Sequence, residues 1–249
     1  MIGDFLKIEG IEKSFGGNKV INGFSLNVFE HTLQCLVGPN GAGKTTTIDL
    51  ISGRQKPDAG KVYLNGDDIT GKGEHEIARK GIGRKFQIPA VLKGLTVREN
   101  LEVAYSREVN ALRNMFSMRA KGCKEKLEEI SGKVRLTKRL DVEAGLLSHG
   151  ETQWLEIGMV LMQDPAILLL DEPVAGMTEN EIGLTVDILN TLKRSHTIIL
   201  VEHDMGFVRK IADVVTVLHM GALLAQGSIE EIEKDESVRA VYLGTEDAH

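Results

Sequence analysis

Only two cysteines occur in the 249 residues. Cys35 lies inside an apolar run and Cys123 in a charged, helix-like stretch, so neither a disulfide framework nor a metal-ligand spacing is available. Both fit a reducing cytoplasm and carry no evident chemistry. Long apolar runs are missing as well. The strongest, AILLL at 166–170, falls far short of the ~20 residues of a bilayer-spanning helix. The opening MIGDFLKIEG has neither the basic nor the apolar region of a secretion signal, so a soluble chain is expected. Nor is there an excess of positive charge. Thirty Lys and Arg stand against 36 Asp and Glu, a formal charge of −6, which argues against nucleic-acid binding over the whole surface and leaves room for a local basic patch. No internal repeat or low-complexity segment is present. What remains is 42% hydrophobic residues, enough for one large domain or a domain with a subdomain.

Patterning divides the chain into elements. FLKIEGIEKSF (5–15) and KVINGFSLNVF (19–29) alternate as antiparallel strands do, and LQCLVG (33–38) reads as a buried strand entering a glycine-rich turn. A helix follows from about 43 to 52 and stops at Gly53. PDAGKVYLNG (57–66) gives a turn, a short strand and an Asn65-Gly66 turn. Thr96 and Glu99 form a capping box, after which helical periodicity continues to about Val142. Next come a helix at 151–162, a strand at 166–173, a helix at 179–194, a strand at 197–203, a further helix and a hairpin at 214–227. Ser228 and Glu231 make a second capping box before a helical tail. Strands alternating with helices of this length predict an α/β fold, a largely parallel sheet with an N-terminal antiparallel β subdomain. One domain, 1–249, is expected, with a core from 1–95 and 164–249 and an inserted helical subdomain at 96–163.

The strongest chemical signal is GPNGAGKTT: Gly38, Pro39, Asn40, Gly41, Ala42, Gly43, Lys44, Thr45 and Thr46. It matches G-x-x-x-x-G-K-[ST] in the required setting, a buried strand before it and a helix after it. Glycines let successive backbone N–H groups curl around phosphate oxygens, and the helix N-terminus adds positive potential. Lys44 would reach the β and γ phosphates of ATP, and Thr45 would hold Mg²⁺. A second motif, ILLLDEP, delivers Asp171 from a buried strand to the sheet's edge, where it would act on Mg²⁺ from behind its waters. Glu172, one residue farther out, is the candidate base for a water attacking the γ phosphate.

Taken in order, these residues resemble the ATP-binding subunits of ABC transporters over nearly the whole chain. The resemblance implies a P-loop NTPase with an ABC-type core. It assigns Gln87, in GRKFQ, to sensing the γ phosphate and to Mg²⁺, and His203, in LVEHD, to positioning the γ phosphate. Phe15, in KSFGG, resembles the aromatic that stacks on adenine. It also implies that two such domains bind head to tail, Ser148 and Gly150 of one capping the γ phosphate held by the other. Here LSHGE replaces LSGGQ, so His149 and Glu151 depart from the family, as does Thr178 where most members carry an aspartate.

GRKFQIP, LSHGETQWLEIGMVLMQDP and EPVAGMT look like the urea-uptake branch of the importers for branched-chain and other hydrophobic amino acids, as does the tail VRAVYLG. The resemblance thus implies an ATPase powering import of urea or short-chain amides, with branched-chain amino acids as the alternative cargo. The implied partners are two transmembrane permease subunits, a paralogous ATP-binding subunit or a second copy, and an extracytoplasmic solute-binding protein. The implied place is the cytoplasmic face of the membrane. Between Tyr105 and Arg139 ten basic residues face four acidic ones, net +6, either a solvated face or a contact with lipid headgroups or a permease loop. A soluble ABC ATPase of DNA repair or translation is a rival reading, but the long coiled coil or tandem domains of those proteins are absent. A P-loop module without turnover is the other rival.

Overall fold

A computed structural model describes residues 4–84, 91–105 and 117–246, with backbone alone at 117–121 and 242–246. Strands β1 (Leu6–Phe15) and β2 (Asn18–Val28) form a hairpin closed by Gly16 and Gly17, both at positive φ as a tight two-residue turn requires. With β4 (Ala59–Leu64) and β5 (Asp67–Asp68) they make an antiparallel sheet of order β2-β1-β4-β5.

The second sheet has the order β10-β9-β3-β8-β7-β6, from β3 (Leu33–Val37), β6 (Ile82–Arg84), β7 (Ile167–Asp171), β8 (Thr197–Val201), β9 (Val214–His219) and β10 (Ala222–Gly227). It is parallel except for the β9–β10 hairpin. Its central strands β3 and β8 are buried at every position because both faces are covered, and only Gln34 and Thr197 in them are polar. Alternate side chains sort accordingly. Cys35, Leu168, Leu170, Ile198 and Leu200 join the apolar cluster packed by helices, whereas Leu36, Leu169, Ile199 and Val201 join the cluster shared with the antiparallel sheet.

The helices are α1 (Lys44–Ile51), α2 (Glu74–Arg79), α3 (Val97–Tyr105), α4 (Ser117–Lys133), α5 (His149–Leu161), α6 (Glu179–Leu192), α7 (Met205–Ile211), α8 (Ile229–Lys234) and α9 (Glu236–Glu246). The Thr96–Glu99 box closes as expected, Glu99 accepting from the Thr96 N–H and hydroxyl at 2.7 and 2.8 Å. The helix predicted to run to Val142 instead stops at Lys133. Arg135 takes the left-handed conformation (φ 60), its N–H donates to Gly132 O, and the Leu136 N–H donates to Ser131 O. That is a Schellman stop with arginine where glycine is usual, and buried Leu136 pins it. Beyond it come short turns at Thr137–Arg139 and Ala144–Leu146. Residues 95–98 bond to 140–144 through the N–H groups of Val97, Arg98 and Ala144. The two ends of the helical segment are thereby tied together. Within it, Gly158 of α5 lets α3 and α4 approach: a Cβ there would meet Leu101 at 3.2 Å and Val134 at 3.3 Å.

Candidate nucleotide site

The phosphate loop follows directly from β3. Gly38, Gly41 and Gly43 all take positive φ, and Gly38 lies so close to β9 that a Cβ would sit 2.2 Å from the Leu218 carbonyl oxygen. The loop is bonded to its surroundings by Gly221 N–H to Ala42 O at 3.0 Å, and internally by Ala42 N–H to Pro39 O at 3.2 Å. Asn40 and Gly41 are exposed at its tip, Thr45 faces out at the start of α1, and Thr46 is half-buried. Lys44 is buried, its Nζ donating to the carbonyls of Gly38 (2.7 Å) and Pro39 (3.0 Å). Burial holds its ammonium below the usual lysine range, and the Glu172 and Asp171 carboxylates pull the other way.

Asp171 ends β7. Burial raises its carboxyl above the usual range, opposed by the Arg84 guanidinium and by a hydrogen bond with Thr45. Its Oδ2 is buried with no hydrogen-bond partner, an acceptor pointing to an absent donor or cation. Among the described residues no group of three or more His, Cys, Asp or Glu gathers to hold a metal unaided. A divalent cation here would therefore need phosphate oxygens and Thr45 as well. The Asp171–Thr45 pair fits that requirement.

Glu172 is one of the few non-glycine residues at positive φ (44°), a conformation that costs about 1–2 kcal/mol. Its N–H donates to Val201 O at 3.0 Å, which fixes the turn and leaves the carboxylate half exposed. Because β7 and β8 are neighbours in register, His203 arrives beside it, Nδ1 lying 3.3 Å from Glu172 Oε1. Between them in sequence space sits Glu202, 1% exposed. Its Oε2 accepts from the N–H of His203 at 3.1 Å, and burial pushes its carboxyl up. A carboxylate and an imidazole thus stand together at the C-terminal ends of two adjacent parallel strands, where α/β sheets present their ligand sites.

Phe15 is 43% exposed at the end of β1, with the Lys13 ammonium 5.5 Å from its ring centroid. Gln87 lies outside the described residues. Ser148 caps α5, accepting from the Glu151 N–H at 3.2 Å, and its hydroxyl donates to Glu181 Oε1. Gly150 also donates to Glu181, so neither residue bonds to the phosphate loop of its own chain. His149 turns toward the loop after Glu172, Nε2 lying 3.0 Å from Ala175 O. Glu151 bonds the Ser148 N–H at 3.0 Å and the Arg139 Nε at 2.7 Å, so its charge is already matched.

Three residues at the site escaped sequence reading. Arg84 is buried, and its Nη1 bonds Asp49 of α1 (2.5 Å) and Ser52 at that helix's C-terminal cap (2.9 Å), locking the phosphate-loop helix to β6. Glu202 and Glu181 are the others. Arg84 and Glu202 depend on partners brought in by the fold, and nothing in their immediate sequence marks them; Glu181 is marked only as a capping residue three positions after Thr178.

The family model described as ABC transporter matches residues 21–175. A high-affinity branched-chain amino acid transport ATP-binding protein, BraF of Pseudomonas aeruginosa, is 38% identical over 96% of this chain and 97% of its own length. The LivG proteins of Archaeoglobus fulgidus (described as probable) and Escherichia coli K12 carry the same transport description at 36% and 33% identity, over 98% and 96% of this chain and 96% and 97% of theirs. Among solved structures, the ADP conformation of an ATP-binding cassette of an ABC transporter is similar with a TM-score of 0.83 and 33% identity, covering 97% of this chain and 99% of that one. A nucleotide-free cassette gives 0.82 and 33%, over 96% of this chain and 99% of that one.

Proposed function

Because the chain belongs to the ABC transporter family as an ATP-binding subunit with ATPase activity coupled to transport, we propose that it powers an importer of branched-chain amino acids. The observation that carries the reading is the buried Lys44 of the phosphate loop beside the Glu172–His203 pair. The cargo rests on the relatives, which are described as branched-chain amino acid transport proteins. Urea, the first expectation from the sequence, has no support among them, and the second becomes the proposal.

In this mechanism the backbone of 38–46 and the start of α1 receive the phosphates of ATP, with Phe15 against the adenine. Lys44 gives up the Gly38 and Pro39 carbonyls and turns its ammonium to the β and γ phosphates. Glu172 takes a proton from a water as that water's oxygen bonds the γ phosphorus, and the bond to the β-phosphate oxygen breaks. His203 orients the γ phosphate and keeps Glu172 directed. Mg²⁺, when bound, would neutralise phosphate charge; Thr45, the buried Asp171 Oδ2 through its waters, and Gln87 are the residues that would hold it. Ser148 and Gly150 complete the site of an opposing subunit, either a paralogue or a second copy. Two permease subunits and a solute-binding protein complete the importer. The described residues contain no helix long and apolar enough to cross a membrane, which fits attachment at the cytoplasmic face through the permease.

Two substitutions test the site. Lys44→Ala should abolish ATP binding in a calorimetric titration. Glu172→Gln should bind ATP normally and lose about 10²–10⁴-fold in phosphate release; undiminished turnover would remove Glu172 from the role of base. For cargo, competition of labelled leucine uptake by the assembled transporter should be strong with isoleucine or valine and absent with urea. The reverse order would restore the urea reading.

A further inference from the structure

Helices α5 and α6 begin against one another, and one carboxylate serves both. Glu181 is the third residue of α6. Its Oε2 accepts from the N–H (3.0 Å) and hydroxyl (2.9 Å) of Thr178, an ordinary capping box. Its Oε1 leaves that helix and accepts from the Ser148 hydroxyl at 2.9 Å and the Gly150 N–H at 3.1 Å. The crossing is possible because Gly150 has no side chain. A Cβ there would lie 2.6 Å from Oε1 and 2.9 Å from Cγ of Glu181. Four donors converge on this carboxylate and hold its pKa down to about 2, so it is ionised throughout the neutral range. The neighbouring acid, Glu151, is engaged by Arg139 and does not compete for these donors.

The Ser148 hydroxyl and Gly150 N–H are the donors that the proposed function assigns to the γ phosphate of an opposing subunit. We propose that Glu181 is a positioning residue that keeps these two donors loaded with an anion in the separate subunit, so that closure exchanges its carboxylate for the γ phosphate. This inference rests on the nucleotide reading above.

The chemistry follows from charge and space. Two anions cannot share one pair of donors without repulsion, so Glu181 must withdraw before a phosphate oxygen arrives. The phosphate brings more charge and three acceptor oxygens, so it wins the exchange. Its gain is smaller than for capture by unfilled donors. ADP, lacking the γ phosphate, offers nothing to displace the carboxylate. Subunits carrying ADP or no nucleotide therefore gain nothing from meeting at this corner. The same turn is bonded to the loop after Glu172 through His149 and Ala175, so the exchange reaches the catalytic strand end directly.

The test compares full-length Glu172→Gln with Glu172→Gln/Glu181→Gln by sedimentation across an ATP titration. Glutamine keeps the shape and an acceptor for the Thr178 box while removing the charge. The double variant should reach half dimer at an ATP concentration at least about five-fold lower. A residue serving only to cap α6 would shift the midpoint up or leave it in place, because weakening a fold does not promote association. Glu231→Gln in the same background removes an equivalent capping carboxylate from α8, and its midpoint should match that of Glu172→Gln alone. An equal or higher midpoint in the Glu181 variant would overturn the inference, as would the absence of dimer in both variants while both bind ATP. Failure of monomeric Glu172→Gln to bind ATP at all, read from the calorimetric titration, would instead bring down the nucleotide reading itself.

Discussion

Gly38 shows how little freedom a single position has in this molecule. Its φ of 147° and the 2.2 Å that would separate an added Cβ from the Leu218 carbonyl oxygen leave no room for adjustment, since the clash is with backbone. Gly38→Ala should therefore destabilise the chain by at least about 2 kcal/mol and weaken ATP binding together with it, as a thermal melt and a nucleotide titration would report. Gly41, at φ 78° with nothing within 4 Å, should lose less stability on the same change. Most of the candidate nucleotide site was legible as local structure, because its signals are local: strand, glycine turn and helix lie in one short run. Arg84 was not. A buried arginine is the exception for its type, and the partners that allow it sit 32 and 35 positions away.

At the level of elements, four helices, α3, α5, α6 and α8, start with the same device, a Thr or Ser cap with Glu three residues on. Hydrogen bonds hold the carboxyls of Glu99, Glu181 and Glu231 below the ordinary glutamate range. A depressed carboxyl contributes stability that is fully present above its unfolded pKa and disappears as pH falls through the folded one. For Glu181 that window runs from about 4.5 down to about 2. Urea denaturation midpoints should accordingly fall across it, and the Glu181→Gln variant should show a shallower fall. Ser228→Ala, which removes the α8 cap, should cost about 0.5–2 kcal/mol in the same assay at neutral pH. The caps of α3 and α8 were legible, as Thr or Ser followed by Glu, and the same pattern stood unread at α5 and α6. Their reach was not legible: a capping box accounts locally for Glu181, and its second pair of donors belongs to another helix. The end of α4 was hidden for a different reason. Its stop uses Arg135, and only a tertiary pocket for Leu136 makes an arginine tolerable in the left-handed conformation. The pairing of 95–98 with 140–144 is non-local and left no periodic trace.

Across the whole molecule, the phosphate loop lies on the seam between the two sheets. The N–H of Asn22 on β2 donates to Gly221 O at 2.8 Å, and a Cβ at Gly43 would touch Val20 O at 3.0 Å. Nucleotide bound there would brace both layers. Ligand at a hundredfold over its dissociation constant should add about 2.7 kcal/mol to unfolding, and Lys44→Ala should show no such gain in a calorimetric scan. The layered α/β plan was legible from the alternation of strands and helices. The contact between layers was not, because the backbone groups that make it carry no sequence signal.

The single tryptophan belongs to this same scale. Trp154 of α5 is buried, and its indole N–H donates to the Thr185 hydroxyl of α6 at 2.9 Å. No other indole contributes to the emission, so the protein carries an optical gauge of how firmly its helical segment sits on the catalytic layer. A rotation that parts those helices would trade the hydroxyl for water and move the fluorescence to the red, without any label being attached.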